Sequence, residues 1–326
     1  MTNMYRALRR RLLTPAMSET KVSVRGFHEK TPEGTELLET VGRMFLTGYG
    51  YAAESRRPLD AEAQLEALPV RFRGFAYEGA AMGFAVRDGL PLGSRRSVAE
   101  FLTGRAGSHS YMVYVGVGWA LARLPRFRWP AVTANVPDDL LRGLVLDGYG
   151  FHQAYFHPDK YVHGQYREPS FPWPADIGQA GIDEIIDQGI GRAMWFVGGA
   201  DPDYVANLID KFPKDRHSDL YSGAALAATY AGGVDERELK VFWDRAGEHR
   251  AFVAQASAFA ATARSRAGLV VPHNELATRV LCGMSVADAT DVSLRNQPDG
   301  PVGGDVPAYT VWRRRIAEEF RALGQC

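Results

Sequence analysis

Cysteine is scarce in this sequence, which has only Cys282 and Cys326 among its 326 residues. Two cysteines so far apart provide neither a disulfide framework nor a four-thiolate zinc site. An excess of charge is also missing, because 38 basic and 38 acidic residues give a formal net charge of zero. A neutral chain has no overall field that would draw it to nucleic acid, so we expect no nucleic-acid partner.

Long apolar runs are missing as well. No run approaches the roughly 20 residues that a membrane span needs, and the first residues lack the apolar stretch of a secretory signal. Together with the low cysteine count, these absences predict a soluble, cytoplasmic protein; a peripheral association with a membrane through a partner stays open. Residues 1–13 do carry several arginines in an amphipathic pattern, which is typical of a packed helix or of a membrane-surface anchor.

The motifs of the common reaction classes are absent. The sequence has no HExxH, no P-loop, no Gly-x-Ser-x-Gly and no Asp-Asp-x-x-Asp. Three histidines lie close together at positions 152, 157 and 163, but the first two would lie about 140° apart on a helix, and Pro158 interrupts the segment. We therefore expect no metal site and no bound cofactor.

A repeat of 34 residues is the strongest feature that is present. Residues 189–212 align without a gap on the segment 34 positions later, with these matches: Gly189 on Gly223, Ala193 on Ala227, Gly198 on Gly232, Gly199 on Gly233, and Asp201 on Asp235. Each unit contains an apolar helix, a double glycine that ends it, an acidic N-cap and a second amphipathic helix. This period is typical of stacked helical hairpins, so the sequence predicts an all-α fold: an α-solenoid or superhelical array with terminal capping helices.

Gly-x-Gly recurs inside the predicted helices, at residues 116–118, 148–150 and 189–191. Each glycine inside a helix costs about 1 kcal/mol relative to alanine, so something must offset that cost. In one interpretation the glycines let neighbouring helices approach closely. In the other, the missing side chains leave a groove for a ligand. A dinucleotide-binding fingerprint is not predicted, because no β-strand precedes these glycines.

The chain is predicted to form a single domain with three parts. These parts are an N-terminal basic helix and lead-in (1–30), the helical-repeat domain (31–289), and a linker with a C-terminal docking helix (290–326). The repeat domain is expected to begin with a helix that starts at Thr31 and stops near Gly48 and Gly50. Residues 290–308 form the linker, and the last helix, from about Tyr309, docks on the array through an apolar stripe.

Polar side chains in the apolar helices supply the candidate site, because such groups must find partners or line a pocket. We predict that His152 acts as general acid or base, since imidazole titrates near neutrality. Arg192 would orient a carboxylate, enolate or thioester oxygen, with Glu78 as a further catalytic group and counter-charge. Asp187 is expected to be a second counter-charge to Arg192. The predicted substrate-binding residues are Tyr114, Tyr149, Gln153, Asp187, Trp195 and Phe196; Asp147 belongs to the same polar set without an assigned role.

Five sequence strings resemble the UnbL family of conserved proteins encoded beside enediyne polyketide synthases in actinomycetes. They are Arg-Gly-Phe-Ala-Tyr-Glu-Gly-Ala-Ala-Met-Gly (73–83), Val-Gly-Val-Gly-Trp-Ala-Leu-Ala-Arg-Leu-Pro (115–125), Asp-Gly-Tyr-Gly-Phe-His (147–152), Tyr-Ala-Gly-Gly-Val-Asp (230–235) and Val-Leu-Cys-Gly (280–283). The resemblance implies a role in turning the linear polyene of an iterative synthase into the enediyne core, beside two conserved partners, one of them membrane-embedded. It supplies no catalytic residues.

Two functions stay open on the sequence. An enzyme or enzyme subunit that holds a polyene or polyketide intermediate predicts a deep, aromatic-lined pocket. A noncatalytic scaffold or carrier for the synthase and its membrane partner predicts a broad, open, polar concavity. The missing cofactor motifs favour the carrier, whereas the glycines and the embedded Glu78, His152 and Arg192 favour a pocket. A protein that sequesters the pathway's product is a third alternative.

Overall fold

The computed structural model describes residues 2–91, 96–173, 178–299 and 306–326. Within these ranges the chain is helical and contains no β-strand, so the predicted all-α class is confirmed. The α-helices are α1 (Thr2–Leu13), α2 (Val22–Arg25), α3 (Pro32–Glu54), α4 (Glu62–Glu66), α5 (Val70–Gly89), α6 (Ser97–Leu102), α7 (Ser110–Leu121), α8 (Trp129–Thr133), α9 (Gly143–Phe156), α10 (Gln179–Val197), α11 (Pro202–Ile209), α12 (His217–Ala231), α13 (Glu236–Ala246), α14 (Arg250–Arg266), α15 (Pro272–Leu281), α16 (Val286–Arg295) and α17 (Ala308–Ala322).

The long helices form a row in which each packs on the next along the chain. The row runs α3, α5, α7, α9, α10, α12 and α14, and the shorter helices α11, α13 and α15 pack on one another as a second row. Helices α11 and α13 begin at residues 202 and 236, 34 residues apart. Both start with the predicted acidic cap: Asp201 accepts from the Tyr204 N–H, and Asp235 accepts from the Glu238 N–H. The repeat therefore consists of helical hairpins.

Neighbouring long helices run in the same direction, and the row curls. Two contacts between α10 and its neighbour α12 show this direction. A methyl group on Gly223 would overlap the Gln188 carbonyl, and further along both helices the Trp195 indole N–H donates to the Gly232 carbonyl. The curl brings the distant helices α5 and α12 together, where the rings of Phe75 and Tyr230 lie 5.1 Å apart. The concave side of the array is thus a largely enclosed space.

Intrahelical glycines allow the backbones of neighbouring helices to touch. A methyl group on Gly148 would overlap the Val115 carbonyl of α7, and one on Gly150 would overlap the Ile186 carbonyl of α10. Residues two apart on a helix point about 200° apart, so the first glycine faces the preceding helix and the second faces the following one. The same two-sided contact occurs at residues 116–118 and 189–191. Close helix packing is therefore the role of the Gly-x-Gly pairs.

The prediction that the helix from Thr31 stops near Gly48 and Gly50 is wrong. Thr31 does cap α3, but the helix continues through both glycines to Glu54. A side chain at Gly48 would overlap the Ala76 carbonyl of α5, so this glycine serves a helix contact in the middle of α3 and not a helix end. Composition alone does not separate these two uses of glycine.

The C-terminal helix docks as predicted, but the linker before it is shorter. Helix α16 extends to Arg295, so residues 290–295 are helical, and residues 300–305 of the predicted linker lie outside the described ranges. Trp312, Ile316 and Phe320 of α17 are fully buried. The Trp312 ring packs against Phe259 of α14 with centroids 4.8 Å apart, so α17 covers the end of the row.

Replacement of Gly148 by alanine tests the backbone contact. The added methyl group would force α9 away from α7, and we expect a loss of about 3 kcal/mol in the free energy of unfolding, measured by urea denaturation. Gly34→Ala is the matched control, because its methyl group would meet only the Thr31 hydroxyl at 3.3 Å and a carbonyl at 3.8 Å, and it should change stability by less than about 1 kcal/mol. Equal stability of the two variants would contradict the contact.

Candidate functional site

A cavity of about 80 Å³ that opens to solvent on one side lies at the centre of the curled row. A water molecule needs roughly 10–15 Å³ of such space, so the cavity holds several waters or a slender ligand. Six long helices provide its walls: α3, α5, α7, α9, α10 and α12. The lining is mainly aromatic and aliphatic, and its members include Phe45, Leu46, Phe75, Met82, Met112, Trp119, Phe151, Tyr155, Phe156, Phe196, Leu226 and Tyr230.

The Gly-x-Gly pairs determine which residues face the cavity. Trp119, Phe151 and Arg192 each follow the second glycine of a pair directly, and all three line the cavity. A residue three positions after the first glycine lies about 300° around the helix, between the two glycine directions, and so faces neither neighbouring helix. The repeated motif therefore presents one side chain per helix to the cavity. Trp119 and Phe151 were not among the predicted site residues, although this signal is present in the sequence alone.

Glu78 and Arg192 meet at the cavity wall, as predicted. The Arg192 Nη2 atom lies 3.6 Å from Glu78 Oε1, and Nη1 lies 2.8 Å from Asp147 Oδ1. All three side chains are buried. Asp147 also accepts a 2.9 Å hydrogen bond from Gln188 Nε2. Two carboxyl groups thus share one guanidinium, which leaves one negative charge in excess when both are ionised.

Burial and neighbouring charges alter the titration of both acids. The pKa of Glu78 is raised to about 7: burial is the largest cause, Arg192 opposes it, and the charge on Asp147 adds to it. The Trp119 indole also lowers that pKa, although its N–H makes no well-aligned hydrogen bond. Burial raises the pKa of Asp147 as well, against the opposing effect of Arg192. A carboxyl group that titrates near neutrality beside a guanidinium can both donate and accept a proton.

His152 does not line the cavity. Its ring packs edge-on against Trp119 at 5.5 Å and against Phe156 at 4.6 Å. Burial lowers the pKa of His152 to about 3, so the imidazole is neutral at neutral pH. Because His152 follows Phe151 by one position, it points about 100° away from the cavity-facing direction. Its catalytic role stays a prediction, without a contact to the cavity to support it.

The prediction that Asp187 is a counter-charge of Arg192 is wrong. Asp187 binds two other arginines, Arg216 through Nε at 2.9 Å and Arg167 through Nη2 at 2.7 Å. Asp187 and Arg192 are five residues apart on α10, which places them about 140° apart around the helix. Asp147 on the neighbouring helix takes the position that we assigned to Asp187.

The other predicted substrate-binding residues divide among three places. Phe196 lines the central cavity. Tyr149 and Asp187 line a second, smaller cavity of about 10 Å³, and Gln153 donates to the Tyr149 hydroxyl at 2.9 Å. Tyr114 accepts from the Asp138 N–H at 2.9 Å, and the Trp195 N–H donates to Gly232, so these two side chains connect chain segments. Of the predicted site residues, only Glu78, Arg192 and Phe196 line the central cavity.

Two further classes of site were sought among the described residues. No group of three or more His, Cys, Asp or Glu side chains in those ranges is arranged to hold a metal ion. None of the described helices combines the length and apolar composition required to cross a bilayer.

The pH dependence of stability tests the Glu78 environment. Between about pH 4.5 and about pH 7, folded Glu78 keeps a proton that the unfolded chain has released, so the free energy of unfolding falls as pH rises through this window. Glu78→Gln removes that contribution, on the order of 3 kcal/mol at most. In urea denaturation at pH 5 and pH 8, we expect the variant to gain stability relative to wild type at the higher pH. Glu248→Gln, which changes an exposed side chain, is the control. If the stability difference between Glu78→Gln and wild type is the same at pH 5 and pH 8, the raised pKa is contradicted.

Comparison with known proteins identifies the family. A family model described as "Protein of unknown function (DUF1702)" matches residues 4–320. No curated protein and no solved structure gives a significant match. The family description carries no activity, so the enediyne role implied by the UnbL resemblance stays a prediction. Since the matched residues cover nearly the whole sequence, this chain belongs to the DUF1702 family.

Proposed function

We propose that the protein binds a hydrophobic polyene or polyketide intermediate in its central cavity and helps to convert it toward an enediyne core. The observation that carries this proposal is a largely enclosed aromatic cavity whose wall holds Glu78, with a pKa of about 7, beside Arg192. The pathway comes from the UnbL resemblance. An iterative polyketide synthase and a membrane-embedded pathway protein are the protein partners that the same resemblance implies.

The aromatic wall suits a flat, conjugated chain. Consecutive rings lie close together: Phe45 is 4.5 Å from Trp119, Trp119 is 4.9 Å from Phe151, and Phe151 is 5.4 Å from Phe196. Such rings offer π-faces and edges to an unsaturated ligand and exclude water from it. This agrees with the enclosed pocket expected of an enzyme more than with the open polar surface expected of a scaffold.

The chemistry that the site supports is proton transfer. Glu78 as carboxylate removes a proton from one carbon of the bound chain, and the resulting carboxylic acid returns it at another, so the double bonds shift and no oxidant is needed. Arg192 stabilises negative charge that develops on an oxygen of the chain. The Trp119 N–H and the Tyr230 hydroxyl are buried at the same wall without a hydrogen-bond partner among the described residues, so both can donate to that oxygen.

Gene deletion in a producing strain tests this function. We expect the deletion to accumulate a linear polyene and to lose the product, as profiled by mass spectrometry. Complementation with Glu78→Gln should restore roughly 10²-fold less product than wild type, because the amide can neither accept nor donate the carboxyl proton. The matched control is Glu248→Gln, which makes the same change at an exposed side chain and should restore full production. Circular dichroism and immunoblotting confirm that each variant is folded and expressed.

Other outcomes of the same experiment separate the alternatives. If Glu78→Gln restores full product, the proton-transfer role is wrong. If a folded Leu226→Trp variant, which fills the cavity, also restores it, the ligand-binding role is wrong too and the scaffold or carrier is favoured. His152→Ala tests the remaining catalytic prediction, which gains support only if this folded variant fails as Glu78→Gln does.

A further inference from the structure

The cavity opens to solvent on one side, and that side carries an arginine. Most lining residues are buried, whereas Pro15, Glu19, Gly42, Tyr155 and Phe156 are partly exposed and Arg123 is exposed. The exposed members identify the opening, which lies between the segment before α2, the middle of α3 and the ends of α7 and α9.

Arg123 is positioned by the same helix that supplies Trp119. The two residues are four positions apart, and the Leu124 N–H still donates to the Ala120 carbonyl, so the helical turn continues past the end of α7. Residues four apart lie on one face of a helix. Arg123 therefore stands one turn further out than Trp119, on the line from the aromatic wall to the opening.

The guanidinium of Arg123 has no partner within the described part of the chain. It makes neither an ion pair nor a hydrogen bond there. The one acidic side chain that lines the opening, Glu19, is already paired with Arg25 at 2.8 Å. Arg25 in turn lies over the Phe156 ring at 4.7 Å. The opening thus has one positive charge in excess.

The charge left unpaired at the opening has no equivalent at the inner wall. There Glu78 and Arg192 line the cavity, Asp147 binds Arg192 from behind, and the buried Arg264 lies 3.9 Å from the ring of Tyr230, so two acids face two arginines. The opening holds the unpaired Arg123. An anionic group on a ligand is attracted to the opening, while an apolar chain fills the aromatic space between the opening and the inner wall.

We propose that the ligand is a linear, unsaturated chain with a carboxylate at one end and a carbonyl oxygen further along. Arg123 binds the carboxylate at the opening, and the chain extends inward so that the carbonyl oxygen lies beside Arg192 and Glu78. This inference rests on the proposed function, because it assumes that the cavity binds a chain. The inference adds two features of the ligand. The ligand is a free acid and not a neutral hydrocarbon or ester, and its carboxylate end lies at the opening. Arg123 was not among the residues predicted from the sequence.

Binding of a fluorescent polyene acid tests the proposal on the purified full-length chain. The probes are trans-parinaric acid, a linear conjugated acid whose emission rises in an apolar site, and its methyl ester. Wild type should bind the acid more tightly than the ester, and this preference should shrink at high salt because Arg123 is exposed. Arg123→Gln should weaken acid binding about tenfold and leave ester binding unchanged.

Two control variants make the result specific. Arg237→Gln removes another exposed arginine, on α13, and should leave both affinities unchanged. Leu226→Trp, with its fold checked by circular dichroism, should abolish binding of both probes because it fills the cavity. Binding of both probes to this filled variant would place them elsewhere and overturn the inference.

The failures of the two proposals are distinguishable. If wild type binds acid and ester equally, or if Arg123→Gln leaves acid binding intact, the carboxylate inference is wrong while ligand binding in the cavity stands. If wild type binds neither probe, the proposed binding function fails and the inference fails with it.

Discussion

Backbone contact between the long helices is the constraint on which the rest of the structure depends. Glycines such as Gly148 and Gly150 let α9 touch α7 on one side and α10 on the other. With both flanks occupied by neighbouring backbone, bulky side chains of α9 fit only toward the cavity or toward the opposite side, where Tyr149 packs on Trp129 and Phe171. The cost of glycine within a helix is therefore offset by packing, and the same motif concentrates aromatic side chains at the centre of the molecule.

The buried charges at the cavity wall follow from this arrangement. Arg192 occupies the position after the Gly-x-Gly pair of α10 that Trp119 occupies on α7 and Phe151 on α9. A guanidinium so placed cannot reach water freely and needs carboxylate partners, which Glu78 and Asp147 supply. Such a network stabilises a fold less than apolar side chains of equal volume would. Its place at the wall of a cavity, with a carboxyl group that titrates near neutrality, is the feature on which the proposed proton transfer rests.

Sequence reasoning predicted the fold better than the site, for physical reasons. The 34-residue period and the acidic caps at Asp201 and Asp235 reflect local rules, and they identified the hairpins correctly. The site depends on which helices become neighbours, which one helix cannot reveal. Asp147 is 45 positions from Arg192, and nothing local indicated that they pair. The angular argument that separated the histidines would have separated Asp187 from Arg192, since both pairs are five residues apart.

The curl of the row also bears on the choice between ligand binding and scaffolding. In an open solenoid the concave face is free to receive a protein. Here side chains from helices far apart in the row meet across that face: Phe75 of α5 contacts Tyr230 of α12, and the rings of Tyr111 of α7 and Phe259 of α14 lie 5.1 Å apart. The space that remains between these side chains is about 80 Å³ and is lined mainly by aromatic and aliphatic groups. These contacts narrow the concave face, which supports the proposed small ligand over a protein as the occupant of the cavity.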